Sequence, residues 1–353
     1  MRERILNSKR TAVTLCLFLL LLVVVVAFLL RHISSFFRGD AAEVFGEKGY
    51  ITWVDFDVNV DALEAAYQYD VDSYGGKDHV GWVELLAYLG AEYGGDFSDF
   101  RASDLKKAAK QVRKKGTEKL LKDKKNFDYY YEAYSAVLAG MVGEYEIAEE
   151  SGGEDISYTE KYGLKAFSPI AKGFSYTAYD DFGASRSYGY ERQHLGHDMM
   201  AGVGTPIVAI ESGRVTALGW NQYGGWRVGI SSFDGKRYYY YAHMRKDRPY
   251  AEGLKEGDIV TAGDVIGYVG RTGYSATENV NNIEVYHLHV GMQLIFDESQ
   301  REGDNEIWID MYALTQFLDQ HRSEVVRNPE TKEWTRRYPM KDPLTEALSG
   351  DLE

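Results

Sequence analysis

The chain is read most directly from where its apolar residues fall. Thr11–Leu30 is twenty positions without a charge, TAVTLCLFLLLLVVVVAFLL, the ~20 residues that carry a helix across a hydrocarbon core of ~30 Å. It follows a basic stretch, residues 1–10, with Arg2, Arg4, Lys9 and Arg10 against Glu3. The run is longer than a cleaved signal's apolar region and is followed by Arg31-His32-Ile33, so it predicts an uncleaved anchor. The basic end would stay in the cytoplasm and everything after it would lie outside the cell. Residues 31–57 read as a stalk.

From residue 58 to 146 the period becomes helical. Asn59 or Asp61 caps a first helix, and Trp82, Leu85, Leu86 and Leu89 form a stripe that Gly94-Gly95 stops. Ser103-Asp104 opens a third helix with Leu105, Ala108, Ala109, Val112, Leu120 and Leu121 as its apolar face, and Tyr130, Tyr134, Val137, Leu138 and Met141 mark a fourth. The lysines and arginines between 106 and 125 fit a solvated helix face better than an anion-binding one. His79 stands alone and is assigned no role. Residues 147–165, acidic and rich in Gly and Ser, read as a linker.

Beyond residue 166 the apolar runs shorten to strand length, separated by glycines: Pro206-Ile207-Val208-Ala209-Ile210, Arg214-Val215-Thr216-Ala217-Leu218, Arg237–Ala242 and Val265-Ile266-Gly267-Tyr268-Val269. Phe233-Asp234-Gly235-Lys236 is a hairpin turn. In Val285-Tyr286-His287-Leu288-His289-Val290 the histidines alternate with bulky residues, so His287 and His289 share one face while Leu288 and Val290 meet a core. The β domain spans 166–298. Residues 299–353 hold a terminal helix, Asp310–Val326, and a loosely ordered polar tail.

Composition narrows the classes. The formal net charge of −14 argues against nucleic acid as a partner, because phosphate binding needs a cationic face. The single cysteine, Cys16, rules out an intramolecular disulfide and sits within the apolar run. Of the eight histidines, five lie between 194 and 289. His194-x-x-x-Asp198 can place both side chains on one side of an extended segment. Together with a later histidine it reaches three N/O ligands, the count of a catalytic zinc with one open position. His197 is read as a neighbour and not a ligand.

These pieces, in this order, resemble the LytM/lysostaphin-type zinc metallopeptidases, peptidase family M23. The resemblance covers roughly Asp181–Met292: Phe182-Gly183 with Arg186, then His194-x-x-x-Asp198, Gly204-Thr205-Pro206, Gly213-Arg214-Val215, Tyr241-Ala242-His243-Met244, Gly270-x-Thr272-Gly273 and His287-Leu288-His289. It implies Zn2+ held by His194, Asp198 and His289, with His243 and His287 as catalytic histidines, their division of labour left open. No His-Glu-x-x-His helix is present to supply a glutamate base. Two segments are longer than the family's habit, Tyr274–Tyr286 and Arg245–Glu256, and both are expected to rim the cleft. The expectation is an α+β multidomain chain: an N-terminal transmembrane helix, a helical domain, and a mainly antiparallel β metallopeptidase domain with an open groove. By resemblance it cleaves peptidoglycan peptides. The alternative is a non-hydrolytic scaffold that binds a protein partner.

Overall fold

The computed structural model describes residues 50–149, 157–301 and 305–350. The expected anchor at 11–30, the basic segment before it and the stalk as far as residue 49 lie outside the described residues. Among those described, no helix is long and apolar enough to cross a membrane. The described residues form one compact unit.

Among the described residues five helices come first: α1 (Val60–Ser73), α2 (Trp82–Tyr93), α3 (Ala102–Lys115), α4 (Thr117–Asp123) and α5 (Phe127–Leu138). Asn59 caps α1, its Oδ1 accepting from the Ala62 N–H at 2.9 Å while its amide donates to the Phe97 carbonyl. The expected third helix is two. Gly116, at φ 76°, breaks the stripe between Val112 and Leu120, and Leu121 turns outward. The left-handed region is cheap only for residues without a Cβ, which is why the break falls there. Lys106, Lys107, Lys110, Arg113, Lys114 and Lys115 are all exposed, as a solvated face requires. His79 pairs with the buried Asp70, which also accepts from the Trp82 N–H and the Tyr162 hydroxyl. That carboxylate joins α1, α2 and the strand that follows.

The stretch read as a linker is largely sheet. β1 (Val142–Glu149) and β2 (Ser157–Leu164) pair antiparallel over eight positions. The acids dominate its composition, but Glu144-Tyr145-Glu146-Ile147 has the alternation of a strand.

The β region contains β3 (Tyr176–Ala178), β4 (Ser185–Tyr188), β5 (Tyr190–Gln193), β6 (His197–Ala201), β7 (Pro206–Val208), β8 (Gly213–Asn221), β9 (Gly225–Ser232), β10 (Arg237–Ala242), β11 (Ile259–Val260), β12 (Val265–Tyr268), β13 (Leu288–Leu294) and β14 (Ile307–Ile309). The main sheet runs β11-β8-β9-β10-β13-β6-β3, with β14 beside the C-terminal half of β13. Every one of these pairings is antiparallel. Alternation sorts the faces: Leu288, Val290, Met292, Leu294, Tyr239 and Tyr241 are fully buried, and His289, Tyr238 and Tyr240 line a cleft on the other side. The strand begins at Leu288, not at Val285, and Tyr286 is half exposed.

The helices dock on this sheet through a buried ion pair. Arg237, 1 % exposed, holds Glu211 with two hydrogen bonds of 2.7 and 2.9 Å and donates to the Ala136 carbonyl of α5 at 2.7 Å. A Cβ on Gly140 would fall 1.7 Å from Glu211 Oε1, so the chain must pass there without a side chain.

The C-terminal segment departs from the expected helix and tail. α6 (Tyr312–Leu318) is one short helix, followed by β15 (Val325–Arg327), β16 (Trp334–Arg336), β17 (Met340–Lys341) and α7 (Pro343–Gly350). The helix stops because the residues after it are claimed by other partners. His321 donates to the Ala166 carbonyl at 2.7 Å and Arg322 to the Ala171 carbonyl at 2.8 Å. Further on, β17 pairs with β1, and the buried Lys165 and Asp342 form an ion pair at 3.1 Å. The segment is polar yet ordered, because its charges have partners on the body of the protein.

Candidate metal centre and its cleft

Asp198 on β6 and His289 on β13 are cross-strand partners, so their side chains leave the sheet side by side. His194 arrives from the loop after β5. The three ligand atoms form a nearly equilateral triangle: His194 Nε2 to His289 Nδ1 is 2.8 Å, His194 Nε2 to Asp198 Oδ1 is 3.0 Å, and His289 Nδ1 to Asp198 Oδ1 is 3.1 Å. Zinc bound tetrahedrally at 2.0–2.2 Å holds its ligands about 3.3 Å apart. Among the described residues this is the one group of three or more potential ligands that converges. Two imidazoles and a carboxylate, with no thiolate, are the donor set of a metal that keeps an open position, so the residues present fit a zinc ion.

The candidate ligands are oriented from behind. His194 donates from Nδ1 to the Asp181 carbonyl at 3.1 Å, which leaves Nε2 with its lone pair toward the centre. Asp198 Oδ2 accepts from Arg186 at 3.2 Å, and Arg186 also pairs with the Asp181 carboxylate. Such outer contacts fix ring orientation and carboxylate rotamer. Gly196 makes room for His289: a Cβ there would fall 2.4 Å from its Cε1.

His243 and His287 complete the ring of imidazoles. Nδ1 of His243 donates to the Thr272 carbonyl at 3.0 Å, and Nδ1 of His287 to the Val285 carbonyl at 2.8 Å. In these tautomers both Nε2 atoms are acceptors. His287 Nε2 lies 3.6 Å from Asp198 Oδ1, and the His243 ring centroid is 4.8 Å from that of His287. His243 has φ 61°, a left-handed conformation that costs a β-carbon-bearing residue of order 1 kcal/mol or more. The N–H bond from His243 to the Gly224 carbonyl, 2.7 Å, and the Thr272 contact hold it there.

Electrostatics follow from burial and crowding. Burial first, and then the neighbouring His287 and His289, hold the His243 pKa well below its ordinary value. His289 is lowered too, burial outweighing the pull of Asp198. For Asp198, burial favours the neutral acid, but hydrogen bonds from His194 and His289 prevail and hold it far below the usual carboxylate range. For His194, burial opposes the charge, but Asp198 and then Asp181 reverse the direction and raise it.

The five residues singled out in the sequence therefore meet at one place. His197 does not join them. It points to the opposite face of β6, buried, with its ring edge-on to Tyr312 at 5.4 Å. The cleft holds about 1090 Å3. Of the two long segments, 274–286 lines it through Tyr274, Asn282, Ile283, Glu284 and Val285, whereas 245–256 contributes no lining residue. The second segment acts through the first, since the Asn279 amide donates to Asp247 and accepts from its N–H. Asp181 was not singled out as a partner of His194. It lies thirteen residues upstream and nothing in the local pattern marks it.

Residues 192–301 match the family model of peptidase family M23. The β domain is thus M23-peptidase-like, preceded by a helical region. Over 124 residues the chain is 39 % identical to the L-Ala–D-Glu endopeptidase of Bacillus subtilis (strain 168), covering 35 % of this chain and 36 % of that one. Over 89 residues it is 38 % identical to lysostaphin of Staphylococcus simulans, covering 25 % and 17 %. The chain spans about a third or less of the length of these relatives. Among solved structures, a candidate glycyl-glycine endopeptidase, lytM, from Ruminococcus gnavus ATCC 29149 aligns over 76 % of this chain and 90 % of its own, at 25 % identity and a TM-score of 0.47. The catalytic domain of lysostaphin from Staphylococcus simulans aligns over 40 % and 92 %, at 28 % identity and a TM-score of 0.31.

Proposed function

We propose that the chain is a zinc-dependent endopeptidase that cleaves peptide cross-links of cell-wall peptidoglycan, held on the outer side of the cytoplasmic membrane by the apolar segment 11–30. The carrying observation is the triangle of His194, Asp198 and His289, with His287 Nε2 3.6 Å from Asp198 Oδ1 and the His243 ring beside those of His287 and His289. Bound zinc supplies a Lewis acid for the scissile carbonyl and a water whose pKa falls toward ~7. His243 and His287, each with Nδ1 held by a backbone carbonyl, can accept a proton at Nε2 and return it to the leaving amine. Tyr238, Tyr240 and Trp308 line the cleft beside His289 and give a bound peptide aromatic side chains to lie against. The names of the relatives, an L-Ala–D-Glu endopeptidase and lysostaphin, support peptide bonds of the cell wall as the substrate class.

The test is digestion of purified peptidoglycan by the full chain, read as new amino termini. Release that stops with a chelator, returns with zinc and is absent in His287→Ala supports the reading. A chain that binds zinc but releases nothing would instead point to the scaffold alternative.

A further inference from the structure

The cleft holds a cation that the metal centre does not use. Arg227 lies on β9 and lines the same cleft as His289. β10 and β9 pair as far as Tyr241 opposite Val228, which leaves Arg227 beside Ala242 at the end of the ladder, where the His243 N–H turns to the Gly224 carbonyl. Ala242 pairs with His289, and His289 with Asp198. Cross-strand partners project to one face, so Asp198, His289, Ala242 and Arg227 form a single row across the sheet. Neighbouring strands are about 4.8 Å apart, which puts the Arg227 backbone about 10 Å from that of His289 with only a methyl side chain in the row between them.

The other arginines of the cleft are occupied. Arg186 pairs with Asp181 and Asp198, and Arg301 with Glu298. Arg192 lies over the rings of Tyr223 and Tyr274 at 5.0 and 5.2 Å. Arg227 differs. Among the described residues its guanidinium has no carboxylate, no hydrogen-bond acceptor and no ring; its Nε is sealed from solvent without a partner, as Arg192 Nη1 and Arg301 Nε also are. A buried donor left unpaired is costly, and a guanidinium is a planar fork matched to a carboxylate. In a chain of net charge −14, a cation left unpaired beside the candidate centre marks a place for an anionic group.

We propose that Arg227 binds a free carboxylate of the substrate, carried within two residues of the scissile bond. An extended peptide advances about 3.3–3.6 Å per residue, so one or two residues, together with the length of the arginine side chain, bridge the interval. The proposal rests on the peptidase reading and narrows it. A γ-linked D-glutamyl residue keeps its α-carboxylate free, whereas a glycine bridge presents none.

Binding is measured calorimetrically on the zinc-loaded full chain carrying His287→Ala, so that peptide is not consumed. The probes are L-Ala-γ-D-Glu-L-Lys-D-Ala and the same peptide with that α-carboxylate amidated. At least tenfold tighter binding of the carboxylate form is expected, falling to within about twofold in Arg227→Gln and partly kept in Arg227→Lys, with zinc content and near-UV dichroism unchanged. Equal binding of the two peptides, a preference that survives Arg227→Gln, or no binding of either would overturn it. Failure of the peptidase reading shows separately, as absence of zinc-dependent peptide release by the unsubstituted chain. Discrimination between the two peptides stands or falls without it.

Discussion

Replacing Arg237 with Met tests whether the helices and the sheet fold as one body. The substitution keeps most of the stem volume and removes the guanidinium from a site that is 1 % exposed. Glu211 then loses both short hydrogen bonds and keeps the Tyr239 hydroxyl at 2.6 Å. Removing one partner of a buried ion pair costs about 3–5 kcal/mol. The Ala136 carbonyl, left without its 2.7 Å donor, adds about 1 kcal/mol. A total of about 4–6 kcal/mol is a large share of the 5–15 kcal/mol typical of a folded protein. The assay is urea unfolding of the full chain followed by far-UV and near-UV dichroism together. The expected result is a midpoint far lower than that of the parent. Because the lost energy is the charge left behind, adding Glu211→Leu should restore at least about 2 kcal/mol. A loss under about 1 kcal/mol, or a double variant less stable than the single, would refute the reasoning.

Arg186→Gln should weaken zinc binding about 10–100-fold without unfolding the chain, since Arg186 aims Asp198 and is not one of the three candidate ligands; competition with a chromogenic chelator measures this, and unchanged affinity would count against the assignment. Gly196→Ala should abolish stoichiometric zinc binding, because its Cβ would displace the His289 ring, while the thermal transition persists; normal zinc content would refute it. Stability should fall as pH drops from about 7.5 to about 5.5. Burial and then the Arg336 charge lower the folded pKa of His321 from 6.5. The unfolded chain therefore binds more protons below about 6.5, and the stabilisation present above that pH is lost on acidification. Differential scanning calorimetry should show a smaller slope for His321→Gln, and a flat profile in the parent would contradict the sign.

The residues of the candidate site could be read from sequence because their chemistry is local and their order is distinctive. Alternation alone put His287 and His289 on one face, and Leu288 and Val290 opposite them; the described strand keeps this for Leu288, His289 and Val290, while His287 lies just before it. What could not be read depends on distant partners. Val142–Glu149 and Ser157–Leu164 were read as the end of the helical region and a linker, and they become sheet because each strand has the other, with β17 beyond. The terminal helix is cut short by carbonyls 150 or so residues away, those of Ala166 and Ala171. Arg237 looked like the first residue of an ordinary strand, and nothing nearby in sequence announces Glu211 or Ala136 as its partners. Arg227 was likewise unmarked, since its meaning lies in lacking a partner.

The central claim is that His194, Asp198 and His289 hold zinc that the chain uses to cut peptide bonds. Its most direct test is the metal content of the purified full chain, by mass spectrometry, set beside peptide release from cell-wall material by the same preparation. One zinc ion per chain is expected, with release that tracks zinc occupancy and loss of both in His289→Ala. Release that persists at full strength in metal-free protein, or a His289→Ala chain that keeps its zinc, would contradict it.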